Sequence, residues 1–255
     1  MLLAIDVGNT NITNGVFDGK ELRKTFRMTT KQDRTSDEYG VFLAEWLILN
    51  GFRKEDISDV IISSVVPDIM HSLTSGIIKF FDITPLIVGP GIKTGLNMRI
   101  DEPSSAAADL VVGSVGAVAC YGAPVIVVSM RTATTLVATD KNGAFRGGVI
   151  LPGVKLGYGA LAAGTSLLPD VAILPPKKVV GANTVDAMRS GAIFGTASML
   201  DGMLERMEAE LGYSCTVVAT GGLAKDVIPC CKRTDIRVDP DLLLKGLWTL
   251  YQKNK

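Results

Sequence analysis

Met1-Leu2-Leu3-Ala4-Ile5-Asp6-Val7-Gly8-Asn9-Thr10 opens the chain, and its reading decides the fold. A short apolar run with no polar residue before Asp6 reads as a buried strand. It carries an acid to its own end, where Gly8 begins a turn of Asn and Thr. Asn14–Phe17 and Glu21–Met28 read as the next two strands, joined by the hairpin signal Asp18-Gly19. The same order returns later: Pro124–Val128 is a buried strand, Ser129–Thr135 a Thr-rich turn and Leu136–Thr139 an antiparallel return. Leu3–Phe17 and Val125–Thr139 therefore form a weak internal repeat. Two similar α/β halves are expected, residues 1–115 and 116–255, meeting somewhere in 110–124.

The rest of the pattern fits an α/β chain. Ser36–Asn50 places Tyr39, Phe42, Leu43, Trp46 and Leu47 at helical spacing, with Ser36 and Glu38 suiting the N-terminus and Gly51 the end. Val60–Val65 has the β-branched texture of a strand buried on both faces. Pro67–Phe81 reads as a helix, Pro85–Val88 as a strand and Ser104–Cys120 as an Ala- and Gly-rich helix. Val154–Leu168 reads as a small-residue helix and Asn183–Leu211 as one long helix. Met199, Met203, Leu204, Met207 and Leu211 form a stripe on that helix, more often core than interface. Cys215–Ala219 is a strand and Asp241–Gln252 the final helix.

Bulk properties exclude several classes. The 26 basic and 26 acidic residues cancel, which disfavours a nucleic-acid or anionic-membrane partner. Mean hydropathy is +0.31, but it comes from short runs, none near the ~20 apolar residues of a membrane span. Asp6 follows Met1-Leu2-Leu3 too closely for a signal peptide, so the cytosol is the expected place. One histidine, His71, excludes a His-rich metal site. Cys120, Cys215, Cys230 and Cys231 have no metal-ligand spacing and read as free thiols.

Four segments have residue types suited to chemistry. In Asp6-Val7-Gly8-Asn9-Thr10 the glycine lets backbone N–H groups approach an anion, and a carboxylate beside it suits Mg²⁺. The alternative is an ordinary Asx-turn. Thr220-Gly221-Gly222 follows a buried strand, the place where α/β sheets bind ligands, although paired glycines also make plain turns. Gly147–Gly153 is a third Gly-rich segment, read equally well as a loop that needs glycine angles. Asp109, among Ala106, Ala107 and Ala108, could have a raised pKa and act as a base, or be a solvated helix residue.

Taken together, these loops resemble the acetate and sugar kinase/heat-shock chaperone/actin superfamily, and within it the type III pantothenate kinases. The resemblance runs from Leu3 to about Gln252. It is carried by Asp6–Thr10, Asp37-Glu38-Tyr39, Ser63–Pro67, Gly89–Gly95, Gly147–Gly153, Gly181–Gly191 and Ala219–Ala224. It implies two ribonuclease-H-like halves with mixed sheets flanked by helices, a homodimer, and ATP-dependent phosphorylation of pantothenate, the first step of coenzyme A synthesis. By resemblance, Asp6 supports Mg²⁺ and Gly8, Asn9 and Thr10 line the phosphates. Thr132, Thr134, Thr135, Gly221 and Gly222 complete the nucleotide site, and Asp109 is the general base. Gly95, Asn97, Ala107, Ala108 and Thr184 fall on the pantothenate side, Thr184 from across the dimer. Ser129 holds the position of a monovalent-cation ligand, for K⁺ or NH₄⁺.

The chain also departs from that family. Leu110 stands where the family has an arginine after its base, and a neutral side chain cannot replace a bidentate cation. Ser129 and Arg131 stand in place of an Asp and a Gly in the second phosphate loop. If that glycine has positive φ, an arginine there costs on the order of 1–2 kcal/mol. Gly164 replaces another arginine. Three readings stay open on sequence: an active pantothenate kinase, a diverged paralogue acting as a binding or regulatory protein, and a kinase for a related small hydroxylated substrate.

Overall fold

A computed structural model describes residues 1–255. The chain forms two compact units, one of Met1–Gly95, Glu102–Ala119 and Leu242–Lys255, the other of Leu96–Asp101 and Cys120–Asp241. The units are not two unbroken stretches, because the C-terminal helix belongs with the first sheet.

The first unit contains β1 (Leu2–Val7), β2 (Asn11–Asp18), β3 (Glu21–Thr29), α1 (Ser36–Leu49), β4 (Asp59–Ser64), α2 (Met70–Phe81) and β5 (Leu86–Ile87). It also takes most of α3 (Ala108–Tyr121) and all of α8 (Leu242–Asn254). Its sheet runs β3-β2-β1-β4-β5, with β2 antiparallel to both β1 and β3, and β4 and β5 parallel to β1. Every residue of β1 is buried, because both faces of the sheet are covered. Leu3, Ile5, Ile12 and Val16 pack with Tyr39, Leu43, Leu73 and Ile77 of α1 and α2. On the opposite face α8 lies over β1, β2 and β4. Helix α1 starts one residue later than its cap: Thr35 is the N-cap, and its hydroxyl and the Glu38 carboxylate satisfy each other's backbone N–H groups.

The second unit contains β6 (Asn97–Met98), β7 (Val125–Met130), β8 (Ala133–Thr139), β9 (Ala144–Pro152), α4 (Val154–Ala163), α5 (Thr184–Ser190), α6 (Thr196–Leu211), β10 (Thr216–Thr220), α7 (Ala224–Val227) and β11 (Arg237–Val238). Its sheet runs β11-β10-β7-β8-β9-β6. Apart from β6, this is the order of the first sheet, with the same parallel and antiparallel pairs. The internal repeat is thus a duplication of topology. The core joins Ile126, Val128, Leu136 and Val217 to Leu200 and Leu204, and Met199, Met203, Met207 and Leu211 pack against it. The methionine stripe of α6 is core.

Two helices differ from the sequence expectation. Val154–Leu168 stops as a helix at Ala163, and no helix or strand covers Thr165–Asn183. Gly164 is a weak helix former, and Pro169, Pro175 and Pro176 remove backbone donors beyond it. Asn183–Leu211 is interrupted by a π-helical turn at Gly191–Gly195, between α5 and α6. A Cβ at Gly191 would meet the Tyr158 hydroxyl at 2.3 Å, so a larger residue there would require the Tyr158 side chain to shift.

Candidate functional site

In the first unit, β1 delivers Asp6 to its end, where the side chain is 1% exposed. Register sets Asp6 between Thr13 on β2 and Ser63 on β4. Ser63 Oγ donates to Asp6 Oδ1 at 3.1 Å. The turn beyond is held at its base, since Gly8 N–H donates to Asn11 O at 3.0 Å. The Thr30 hydroxyl donates to Gly8 O at 2.6 Å, and Thr30 N–H donates to Thr10 O at 3.0 Å. Asn9 and Thr10 are exposed at its tip. A buried carboxylate beside an exposed polar turn is thereby fixed in place.

The second unit builds the matching end of its own sheet. Thr220, Ser129 and Thr135 lie side by side across β10, β7 and β8, and all three are buried. Arg131 and Thr132 form the turn, with Arg131 N–H donating to Ala133 O at 2.9 Å. Two glycines clasp it. A Cβ on Gly221, whose φ is +100°, would meet Met130 O at 2.3 Å. A Cβ on Gly153 would meet Thr132 O at 2.2 Å and Arg131 O at 2.4 Å. Backbone approaches of this kind admit only glycine. The conditional penalty at Arg131 does not arise, because its φ is not positive.

The remaining positions fall as follows. Asp109, with Ala107 and Ala108 before it, is half-buried in the first turn of α3 and accepts a hydrogen bond from Leu110 N–H at 2.9 Å. Helix N-termini favour such an anion. Gly95, with φ +75°, is followed by Asn97 in the edge strand β6, which pairs with Ala144. The Gly89–Gly95 loop is tied to α8, because Lys93 and Asn254 exchange two hydrogen bonds. Thr184 is exposed in the first turn of α5, capped by Asn183. Thus Asp6, Gly8, Asn9 and Thr10 come together at one strand end, and Ser129, Thr132, Thr134, Thr135, Gly221 and Gly222 at the other. Sequence reading gave no role to Ser63 or Thr30. Ser63 could have been found from its place at the end of the strand predicted to lie beside the first.

Two ions implied by the resemblance fare differently. No group of three or more His, Cys, Asp or Glu side chains gathers to hold a metal. Mg²⁺ needs only one or two carboxylates when phosphates and waters supply the rest, and Asp6 fits that part. The Ser129 position offers a hydroxyl among hydroxyls, with no anionic ligand in the row, neutral oxygens that hold a monovalent cation less strongly than a carboxylate would. The cysteines are free, with Cys215 buried and Cys120 exposed, and burial pushes the Cys231 thiol up to about 12. No helix is long and apolar enough to cross a membrane.

Comparison with known proteins agrees with this geometry. Among solved structures, component A of the (R)-2-hydroxyglutaryl-CoA dehydratase of Acidaminococcus fermentans superposes with a TM-score of 0.58 at 16% identity, covering 98% of this chain and 96% of that one. The ROK hexokinase of Thermus thermophilus gives 0.51 at 12% identity, covering 100% and 99%. These likenesses show that the chain shares the fold of those two proteins. In sequence, the chain is 45% identical over 254 residues to a type III pantothenate kinase of Bifidobacterium animalis subsp. lactis, covering all of both chains. It is 44% identical to one of Agathobacter rectalis, covering 99% of this chain and 97% of that one. The type III pantothenate kinase family model matches residues 2–206. With the duplicated sheets, the acid at the end of β1 and this similarity along the whole chain, the protein belongs to the type III pantothenate kinase family.

Proposed function

We propose that this protein transfers the γ-phosphoryl group of ATP to the hydroxyl of pantothenate, giving 4′-phosphopantothenate and ADP in the first step of coenzyme A synthesis. The observation that carries this reading is 45% identity along the full chain to a relative of that name. The pantothenate hydroxyl oxygen attacks the γ-phosphorus, the bond to the β-phosphate oxygen breaks, and Asp109 takes the hydroxyl proton. Asp6 would hold Mg²⁺, which supplies charge neutralisation on the phosphates. Gly8, Asn9 and Thr10 from one turn, and Thr132, Thr134, Thr135, Gly221 and Gly222 from the other, would line the nucleotide. Catalysis by such a set is positioning and electrostatics.

Gly95, Asn97, Ala107 and Ala108 belong to the pantothenate side in this reading, and Thr184 reaches it from a second copy. A homodimer is supported by the exposed apolar side chains Leu156, Leu161, Leu167, Leu174, Val179 and Val180. Leu167 is 90% exposed and Val180 84%, more than a lone chain usually leaves in one segment. The two halves would be residues 1–115 and 116–255 as duplicated sequence, and the place of action the cytoplasm. A non-catalytic relative is the second reading, favoured by Leu110 and Gly164 where the family resemblance expects arginines. ADP release measured with and without pantothenate separates the two. Pantothenate-dependent release that rises in Leu110→Arg supports the kinase. No pantothenate-dependent release in either protein supports the binding protein.

A further inference from the structure

The duplication lets the two turns be compared position by position within one chain. The ladders align Asp6 with Ser129, Thr13 with Thr135, and Ser63 with Thr220. The same backbone bond closes both turns, from Thr30 N–H to Thr10 O at 3.0 Å and from Gly153 N–H to Thr132 O at 3.1 Å. Thr10 therefore matches Thr132, Asn9 is one extra residue, and Gly8 matches Arg131.

The charges do not repeat. The first turn has a buried carboxylate and a glycine. The second has a row of hydroxyls and, at the glycine's place, a guanidinium. The hydroxyls of Thr134 and Thr135 at the base of the second turn are buried with no hydrogen-bond partner. Gly221 and Gly153 fix the turn's backbone from both sides, and Arg131 is half-buried with an unstrained φ.

We propose that Arg131 is the phosphate-contacting residue of the second turn, and that its guanidinium takes the place of a monovalent cation in nucleotide binding. An arginine fork matches phosphate oxygens bidentately and cannot lose its charge. The neutral Thr220–Ser129–Thr135 row holds a diffusible cation less strongly than the carboxylate at the matching place of the first turn would, and the fixed guanidinium supplies that charge instead. The inference rests on the kinase reading.

The test is calorimetric titration of the full-length protein with Mg²⁺ and a non-hydrolysable ATP analogue, in potassium or tetramethylammonium salt at equal ionic strength. The wild-type affinity is expected to be the same in both salts. Arg131→Gln should bind roughly 10- to 100-fold more weakly, the loss typical of a charge-assisted hydrogen-bond pair. Arg131→Lys, which keeps the charge, should fall between, and thermal melts of both variants matching the wild type show that the loss is one of binding and not of folding. A wild type that needs potassium, or an Arg131→Gln protein that binds equally or more tightly, overturns the inference while leaving the kinase reading standing. A wild type that binds no nucleotide in either salt sinks both.

Discussion

Gly221→Ala should destabilise the protein far more than Gly222→Ala, its neighbour in the same turn. Gly221 has φ +100°, a region where a side chain costs roughly 1–2 kcal/mol. The new Cβ would also lie 2.3 Å from Met130 O, 2.6 Å from its carbonyl carbon and 2.8 Å from its nitrogen. These are backbone atoms of β7, a strand paired on both edges with β10 and β8, so no side chain can rotate away. The strand must retreat by several tenths of an ångström, and overpacking of that kind costs about 1–3 kcal/mol. The two effects together give roughly 2–5 kcal/mol, which in a chain of this size lowers the melting temperature by at least about 4 °C. Gly222 has no positive φ and nothing within 4 Å of its would-be Cβ, so its alanine variant should stay within about 0.5 kcal/mol of wild type. Thermal melts followed by far-ultraviolet circular dichroism measure both. Equal melting of Gly221→Ala and wild type, or equal loss in the two variants, would refute the close approach of β10 to β7.

Thr35→Ala removes one half of the capping box of α1 and should cost about 1 kcal/mol, read as a shift of a few degrees in the same melts; no shift would mean the cap is idle. Burial, and the hydrogen bond Tyr121 donates to Asp239 at 2.8 Å, push the Tyr121 phenol up to about 12. The folded state thus prefers the neutral form. Its contribution to stability is complete below pH 10 and is lost as the pH rises from about 10 towards 12. Tyr251 is pushed up to about 12 as well, by burial and by Asp59. Burial also raises Tyr39 and Tyr158, so alkaline titration of tyrosinate absorbance should show several late-ionising groups with Tyr121 and Tyr251 among them, and Asp239→Asn should bring Tyr121 down. A single step near pH 10 for all five tyrosines would contradict this.

Much of the fold was legible because burial leaves a plain mark. Leu2–Ile5 and Val125–Val128 are continuous apolar runs because helices or neighbouring strands cover both faces, and the Thr- and Asn-rich turns after them exposed the duplication. The helical pattern beyond Val154 misled, since Leu161, Leu167 and Leu168 have helical texture although Gly164 and three prolines deny the backbone its bonds. The methionines of α6 could not be assigned from periodicity alone, because a core stripe and an interface stripe share one spacing. At the site, the strand-end position of Asp6 and of Thr220-Gly221 followed from the sequence. Their partners did not: Ser63 meets Asp6 from 57 residues away, and Thr30 reaches Gly8 across a hairpin. Such pairings depend on register, which one chain's sequence does not display. The clasp of Gly153 and Gly221 on the second turn was hidden for the same reason.

Mass spectrometry of the products tests the central claim most directly. Purified protein is incubated with pantothenate, ATP and Mg²⁺, with Asp109→Asn, verified as folded, treated in the same way. The account predicts 4′-phosphopantothenate from the wild type and none above background from Asp109→Asn. Absence of product from folded wild-type protein, or equal product from both, would contradict it.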